Sequence, residues 1–350
     1  MAKKAVDELA YSRCPRHESV IPQAPSPSHA SRTVDAPRKQ VLFAVAFYCL
    51  CSSTLLFLNK LAVNGQSATP LAPGAVVVVQ IAFATAACKA LAILDLAQIG
   101  QLTKPKVQGF GLYAIAFVGS IYASVMALRK SNVETFIVFR ASTPLAVAAL
   151  DTLFMGRSAP SAKSLASLIA TAVAASAYVA TDAQFYVEGF AGYSWCFLYF
   201  ALICFEMTFG KHLTSALRLG VWESVWLTNL LALPLLFALA YARGDLEGFS
   251  STFLAMSPGD AVILAVSSVV ATLIGYAGWL CRGLVSATSY TLIGVANKLG
   301  TVLLAIAFLD KHASPLGVLA LVCCIAASSQ YQQSPLWANV AKSSSPDVEG

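Results

Sequence analysis

Ten apolar segments, each about 20 residues long, follow one another along this chain and constrain its fold more than any other feature. They cover approximately 40–61, 73–95, 108–128, 133–154, 161–181, 192–211, 221–242, 260–281, 286–309 and 314–333. Each is long enough to cross a bilayer as a helix. Only 11% of the residues are charged, against about 25% in a soluble domain, so lipid is the solvent that this surface requires. The sequence predicts an all-α membrane protein with about ten transmembrane helices.

Polar segments flank the apolar region at both ends. Residues 1–39 are rich in Pro and Ser and mixed in charge, which predicts a disordered tail rather than a cleaved signal. A second short tail is expected over 334–350. Between the tails, we assign helices 1–5 to a first transmembrane repeat, 40–181, and helices 6–10 to a second, 192–333.

The two halves share a weak internal similarity. Aligning Pro160 with Pro315 needs no gap through spans 4–5 and 9–10, and it places Ala141 against Ala296. Because each half has an odd number of helices, the halves are expected to have inverted topology. Inverted repeats are typical of proteins that alternate access around a midplane site.

Lys and Arg are distributed unequally between the two sides of the predicted bundle. The side with both tails carries Arg32, Arg38, Lys39, Lys104, Lys106, Arg157, Lys163, Lys211, Arg218 and Arg282. The other side carries Arg129, Lys130, Arg243 and Lys311, together with several acidic residues. The positive-inside rule therefore predicts cytosolic tails.

Charged residues inside the predicted spans indicate a binding site. They are Lys89, Arg140, Asp151, Glu206 and Lys298. A charge at the bilayer centre costs about 2.5–3.5 kcal/mol, so each needs a partner or a ligand. Lys298 lies near the middle of span 9 and suits a phosphate, with the amide of Asn297 and the close backbone approach at Gly294 beside it. A buried pair between Lys298 and Glu206 is the alternative.

Arg140 lies in span 4, the counterpart of span 9. Two cations on equivalent helices fit a doubly charged pyrophosphate. The alternative is that Arg140 is held by Asp151 or by a backbone carbonyl. The spacing of Arg140 and Asp151, about three helical turns, puts them on one face of the helix but too far apart to touch.

Four polar residues could orient the rest of a ligand. Tyr48 and Tyr290 offer hydroxyls and ring faces to a sugar or base, although tyrosines in helices also serve in packing. Thr228 and Asn229 in span 7 are suited to reading a base edge, but such residues also bridge helices.

The sequence contains no pattern typical of an enzyme or of a cofactor site. The four His residues are isolated, the nine Cys residues lack metal-ligand spacing, and no Walker loop is present. The net charge of +6 is scattered, which argues against nucleic-acid binding. We therefore expect no cofactor, no metal and no catalytic site.

Several short blocks carry a family resemblance. Residues 133–140 read VETFIVFR, similar to a VDTFIVFR stretch, and 294–298 read GVANK, similar to a GALNK motif. The DKH sequence at 310–312 and the YQQS sequence at 331–334 fit the same branch. Over 40–334 the chain resembles the nucleotide-sugar transporters of the drug/metabolite transporter superfamily, and most of all the Golgi carriers of GDP-mannose, GDP-fucose and GDP-galactose.

This resemblance assigns roles to individual residues. Lys298 would hold phosphate and Asn297 would help to hold the nucleotide, while Tyr48 and Tyr290 would face the sugar. Phe136 stands where the mannose carriers have a Tyr, so a hydrogen bond to the sugar would be lost there.

The family's span 7 carries paired Asn residues that read guanine, whereas this chain has Thr228 followed by Asn229. The identity of the base that this chain would recognise is therefore left open. The resemblance implies exchange of a nucleotide sugar for a nucleoside monophosphate across a Golgi membrane. The oligomeric state is also left open, with a homodimer as one alternative.

Three other functions compete with this interpretation. A plastid-type sugar-phosphate exchanger of the same superfamily would favour a Lys-Arg pair in span 9, but Leu299 follows Lys298. A non-transporting membrane scaffold would bind no nucleotide. An intramembrane enzyme would need convergent acid and base groups, and the deep carboxylates Asp151 and Glu206 lie in separate spans.

Overall fold

The computed structural model describes residues 37–63, 71–130, 133–180, 189–308 and 315–335. Within these residues the chain forms α1 (Arg38–Val63), α2 (Pro73–Ile93), α3 (Lys104–Lys130), α4 (Val133–Phe154), α5 (Ala162–Ala180), α6 (Gly189–Leu217), α7 (Val221–Ala242), α8 (Phe249–Leu254), α9 (Pro258–Leu284), α10 (Ala287–Phe308) and α11 (Pro315–Ser329). All of them except the short α8 correspond to the predicted apolar segments. The largest difference is at α6, which continues to Leu217.

Six stretches of the described helices are long and apolar enough to cross a membrane. They are Arg38–Asn59, Pro73–Ile93, Lys104–Ser124, Ser194–Leu217, Val221–Ala242 and Pro258–Leu284. Large apolar side chains also point away from the bundle, such as Leu50, which is 68% exposed. An apolar exterior of this kind fits lipid as the surrounding solvent.

Prolines begin several of the described helices. Pro73, Pro258 and Pro315 each occupy the first position of a helix. Proline is favoured there because that position needs no N–H for a helical hydrogen bond. At α9 the hydroxyl of Ser257 also accepts a hydrogen bond from the backbone N–H of Asp260 (3.1 Å), which completes the cap.

The packing of the helices places one central cluster at the middle of the bundle. Helix α3 packs against α6 and α7, and α9 packs against α1 and α2. Helices α2 and α7, α4 and α10, and α5 and α11 also pair. The central cluster includes Tyr199, Ile203, Cys281 and Tyr290, so it joins α6, α9 and α10.

Arg282 differs from its predicted position, whereas Lys89 does not. Arg282, which follows the predicted span 260–281, lies in the last turn of α9 and is only 5% exposed. It is buried because α9 continues past the predicted end of its span, to Leu284. Lys89 lies within α2, as predicted, and its exposed ammonium is 5.6 Å from the centroid of the Trp226 ring.

Candidate functional site

A small cavity lies next to the central cluster, between α1, α4, α6 and α10. Its walls are formed by Tyr48, Arg140, Thr143, Ile203, Met207, Tyr290, Thr291, Gly294 and Val295. Four of the residues selected from the sequence therefore line one space, although they come from three helices. A mostly apolar wall with a few convergent polar groups is the usual composition of a small-molecule site.

Arg140 supplies the positive charge of this cavity. Its guanidinium donates a short hydrogen bond to the hydroxyl of Tyr199 on α6, while its Nε is buried without a hydrogen-bond partner. The described residues place no carboxylate within ion-pair distance of it. The expected alternative, a lock to Asp151, is not found, because the Asp151 carboxylate binds Thr288 on α10 instead. The charge of Arg140 is thus available to an anion.

A proline follows Arg140 at the same face of α4. Pro144 is fully buried and has no N–H, so it cannot donate to the carbonyl of Arg140 as a helical residue four positions later normally would. A backbone carbonyl is thereby freed next to the guanidinium. Pro144 is visible in the sequence, but its effect on the site can be inferred only once the position of the cavity is known.

Tyr48 and Tyr290 form an aromatic wall of the cavity. Their ring centroids are 5.5 Å apart at an interplanar angle of 55°. Glycines leave room for them. A Cβ at Gly294 would lie 4.0 Å from the Tyr48 hydroxyl and 3.9 Å from an Arg140 nitrogen, and a Cβ at Gly278 would lie only 3.0 Å from the Tyr290 hydroxyl. Aromatic faces and hydroxyls together suit a sugar or a base.

Asn297 lies about two turns beyond Tyr290 on α10. It is half-buried, and its side-chain oxygen accepts a hydrogen bond from Ser53 on α1 at 3.5 Å. The side chains of Lys298 and Phe136 lie outside the described residues, although both belong to helices. The phosphate role of Lys298 and the sugar-side role of Phe136 stay predictions.

Thr228 and Asn229 are not brought to the cavity. Both are buried in α7, where the hydroxyl of Thr228 donates to the Ser224 carbonyl (2.8 Å) and the amide of Asn229 donates to the Val225 carbonyl (3.0 Å). These bonds to their own helix satisfy one polar group of each side chain. Their role in reading a base also stays a prediction.

A buried ion pair lies behind the aromatic wall and was missed in the sequence. Arg282 donates to Glu206 at 3.1 Å, and the same carboxylate accepts from Tyr113 (3.1 Å) and Ser120 (3.0 Å). Glu206 was expected as an alternative partner of Lys298, but it pairs with Arg282. The available signal was the apolar sequence on both sides of Arg282, Trp279 to Cys281 and Leu284, which favours a helix interior over a loop.

Asp151 caps the first turn of α10, the helix that carries Tyr290 and Gly294. One carboxylate oxygen accepts hydrogen bonds from the backbone N–H (3.0 Å) and the hydroxyl (2.7 Å) of Thr288. A negative charge at a helix N-terminus is favourable, because the helix dipole is positive there. This contact fixes the end of α10 relative to α4.

The described residues bring together no group of three or more His, Cys, Asp or Glu side chains that could hold a metal ion. The polar groups of the cavity are instead a guanidinium, two phenols and two threonine hydroxyls. This set offers hydrogen bonds and positive charge to an anionic, hydroxylated ligand.

Curated proteins of known activity are similar to this chain over most of its length. The GDP-fucose transporter 1 of Arabidopsis thaliana is 36% identical over 82% of this chain and 84% of its own length. The GDP-mannose transporter GONST3 of Arabidopsis thaliana is 32% identical over 90% and 84%, respectively. The GDP-mannose transporter 1 of Saccharomyces cerevisiae is 26% identical over 79% and 86%.

One crystal structure, of a protein whose name states no function, superposes on this fold. Its TM-score is 0.62 at 14% identity, over 85% of this chain and 98% of the other. That likeness concerns the fold alone. No protein-family model matches the sequence. The identities above, which extend over most of both chains, decide the family: this chain belongs to the GDP-sugar transporters.

Proposed function

We propose that the chain exchanges a GDP-sugar for a nucleoside monophosphate, GMP, by alternating access around the cavity of Tyr48, Arg140 and Tyr290. The observation that carries this proposal is the guanidinium of Arg140, which lines the cavity with only a neutral phenol as its described partner. Relatives that carry GDP-fucose and GDP-mannose favour a guanine nucleotide as the ligand.

Electrostatics explains why such a carrier would exchange rather than release its cargo. An unpaired cation away from water costs several kcal/mol. A phosphate bound at Arg140, with Lys298 expected beside it, neutralises that charge. The loaded carrier therefore switches between its outward-open and inward-open states more readily than the empty carrier does. Entry of one nucleotide is thus linked to exit of another.

The helix packing supports two inverted repeats, 40–181 and 192–333. If α1–α5 are matched in order with α6, α7, α9, α10 and α11, the contact of α3 with α6 corresponds to that of α9 with α1. The contact of α3 with α7 corresponds in the same way to that of α9 with α2. Helix contacts that correspond in this way between the two repeats are expected in a ten-span carrier whose halves rock against each other.

The same proposal includes location in a Golgi membrane, with the tails 1–39 and 334–350 in the cytosol. A tag at either terminus should be digested by protease added outside intact Golgi vesicles. Protection of both tags would contradict this orientation.

Reconstitution tests the exchange directly. Liposomes that contain the purified protein and are preloaded with GMP should take up labelled GDP-mannose or GDP-fucose faster than empty liposomes do. Liposomes preloaded with CMP are the control for the base. Equal uptake with and without internal GMP would contradict exchange, and uptake driven by triose phosphate would favour a sugar-phosphate exchanger.

A further inference from the structure

The buried group of Tyr113, Glu206 and Arg282, here called the Arg282 cluster, has no place in ligand binding at the cavity. Its members are 3%, 5% and 5% exposed, and none of them lines the cavity. Arg282 donates to both of the others, and Tyr113 donates to Glu206, so the cluster ties α3, α6 and α9 together. These helices come from both proposed repeats.

The Arg282 cluster lies toward one side of the bundle, the side where α1 begins and α9 ends. Other contacts between helices lie on the same side. The ammonium of Lys211 on α6 donates to the backbone carbonyl of Arg282 at 2.6 Å, and Asp151 on α4 holds the first turn of α10. This side is therefore closed in the structure by polar contacts between helices, and those of Tyr113 and Asp151 join the two proposed repeats.

Tyr290 connects the Arg282 cluster to the cavity. One part of Tyr290 lines the cavity, where its ring contacts that of Tyr48. The ring of Tyr290 also covers the guanidinium of Arg282, whose central carbon is 4.8 Å from the ring centroid. A ligand that displaces Tyr290 would thus uncover Arg282 as well.

The energetics of buried ion pairs favour a switch over a static contact. Desolvation offsets most of the attraction between two buried charges, so such a pair adds little net stability. The same pair is not costly to separate if water reaches both charges as the helices part. The paired and the hydrated states of such a pair therefore differ little in free energy. A contact of this kind is suited to a part of the protein that changes between two conformations.

We propose that the Arg282 cluster, in which Tyr113 of the first repeat is bonded to Glu206 and Arg282 of the second, is a latch that closes this side of the carrier and opens when the transport site turns toward it. This inference rests on the alternating access proposed above. Tyr290 is the residue that transmits the state of the cavity to the latch.

Native cysteines next to the latch report on its state. Cys281 precedes Arg282 and is 1% exposed, and Cys204 lies on α6 close to Glu206 and is 5% exposed. The experiment uses the full chain in sealed vesicles whose terminal tag is accessible from outside. A membrane-impermeant maleimide is added outside, and labelling of each cysteine is measured by peptide mass spectrometry.

Glu206→Gln keeps the shape of the side chain and one accepting oxygen for Tyr113 and Arg282, but removes its charge. We expect Cys281 to be labelled about tenfold faster in this variant, which corresponds to a loss of about 1.4 kcal/mol of stability in the closed state. The double variant E206R/R282E should return labelling toward the wild-type rate, since it restores a pair of opposite charges.

The matched control is Lys106→Gln, which breaks a second ion pair, with Glu223 at 2.6 Å, between α3 and α7. It should leave Cys281 as slow as in the wild type. Equal labelling of Glu206→Gln and wild type, with both proteins monodisperse and equally heat-stable, would overturn the latch. Absence of GMP binding by the wild type would instead contradict the proposed function, because labelling is read independently of transport.

Discussion

The guanidinium of Arg140 and the hydroxyl of Tyr199 form a hydrogen bond across the α4–α6 contact, and this bond sets the cation against the cavity wall. A phenol orients a guanidinium without neutralising it. The pair therefore keeps a positive charge in place for an anionic ligand, whereas a carboxylate partner would have cancelled it. Four predictions test how this cavity is built, and a fifth tests the expected second cation.

Arg140→Gln should weaken GMP binding by about tenfold to 100-fold, because hydrogen bonds to charged groups contribute about 1.5–3 kcal/mol. Isothermal titration of the purified protein measures this change. Lys89→Gln is the control, since Lys89 is another cation of a membrane helix but does not line the cavity. An Arg140→Gln protein that binds GMP normally would remove Arg140 from the site.

Tyr199→Phe should weaken GMP binding less than Arg140→Gln does, by about threefold to tenfold, because it only loosens the guanidinium. If Tyr199 acts through Arg140, the double variant should bind no more weakly than Arg140→Gln alone. A double-mutant cycle of GMP affinities measures this coupling. Fully additive effects would mean that Tyr199 acts independently of Arg140.

Gly294→Leu should block binding, because its side chain would extend from the cavity wall toward Tyr48 and Arg140. Gly294→Ala should be tolerated far better, since its Cβ would meet both neighbours at ordinary contact distance. Gly111→Leu is the control, as a side chain there would enter open space. Normal uptake of GDP-sugar by Gly294→Leu would show that the ligand does not occupy this cavity.

Asp151→Ala should destabilise the protein by about 0.5–2 kcal/mol, the usual effect of removing a helix cap. The melting temperature in detergent should fall accordingly, and GMP should recover part of the loss because binding stabilises the folded state. Glu247→Ala, at an exposed carboxylate, should leave the melting temperature unchanged. An unchanged melting temperature for Asp151→Ala would contradict the capping role.

Lys298→Ala should abolish uptake of GDP-sugar while the protein still reaches its membrane, because the phosphate would lose a point charge. Lys298→Arg should retain part of the activity. Uptake is measured in vesicles at matched protein levels. Near-normal uptake by Lys298→Ala would contradict the phosphate role of Lys298 and leave Arg140 as the cation of the site.

The sequence by itself determined the class of fold and the outline of its elements. Hydropathy decides which segments can be solvated by lipid, and proline decides where several helices begin, so both are local properties that a sequence reports directly. The cavity residues Tyr48, Arg140, Tyr290 and Gly294 could also be selected from it. An ionisable or hydrogen-bonding residue deep in an apolar span already requires a partner or a ligand.

The tertiary structure decided which of these residues meet. Only packing between distant helices pairs Arg140 with Tyr199 and Glu206 with Arg282, and keeps Thr228 away from the cavity. Arg282 shows the reason most clearly. One further turn of α9 converts an apparent loop cation into a buried one, and a sequence pattern cannot reveal whether a charge at a helix end meets water or a carboxylate from another helix.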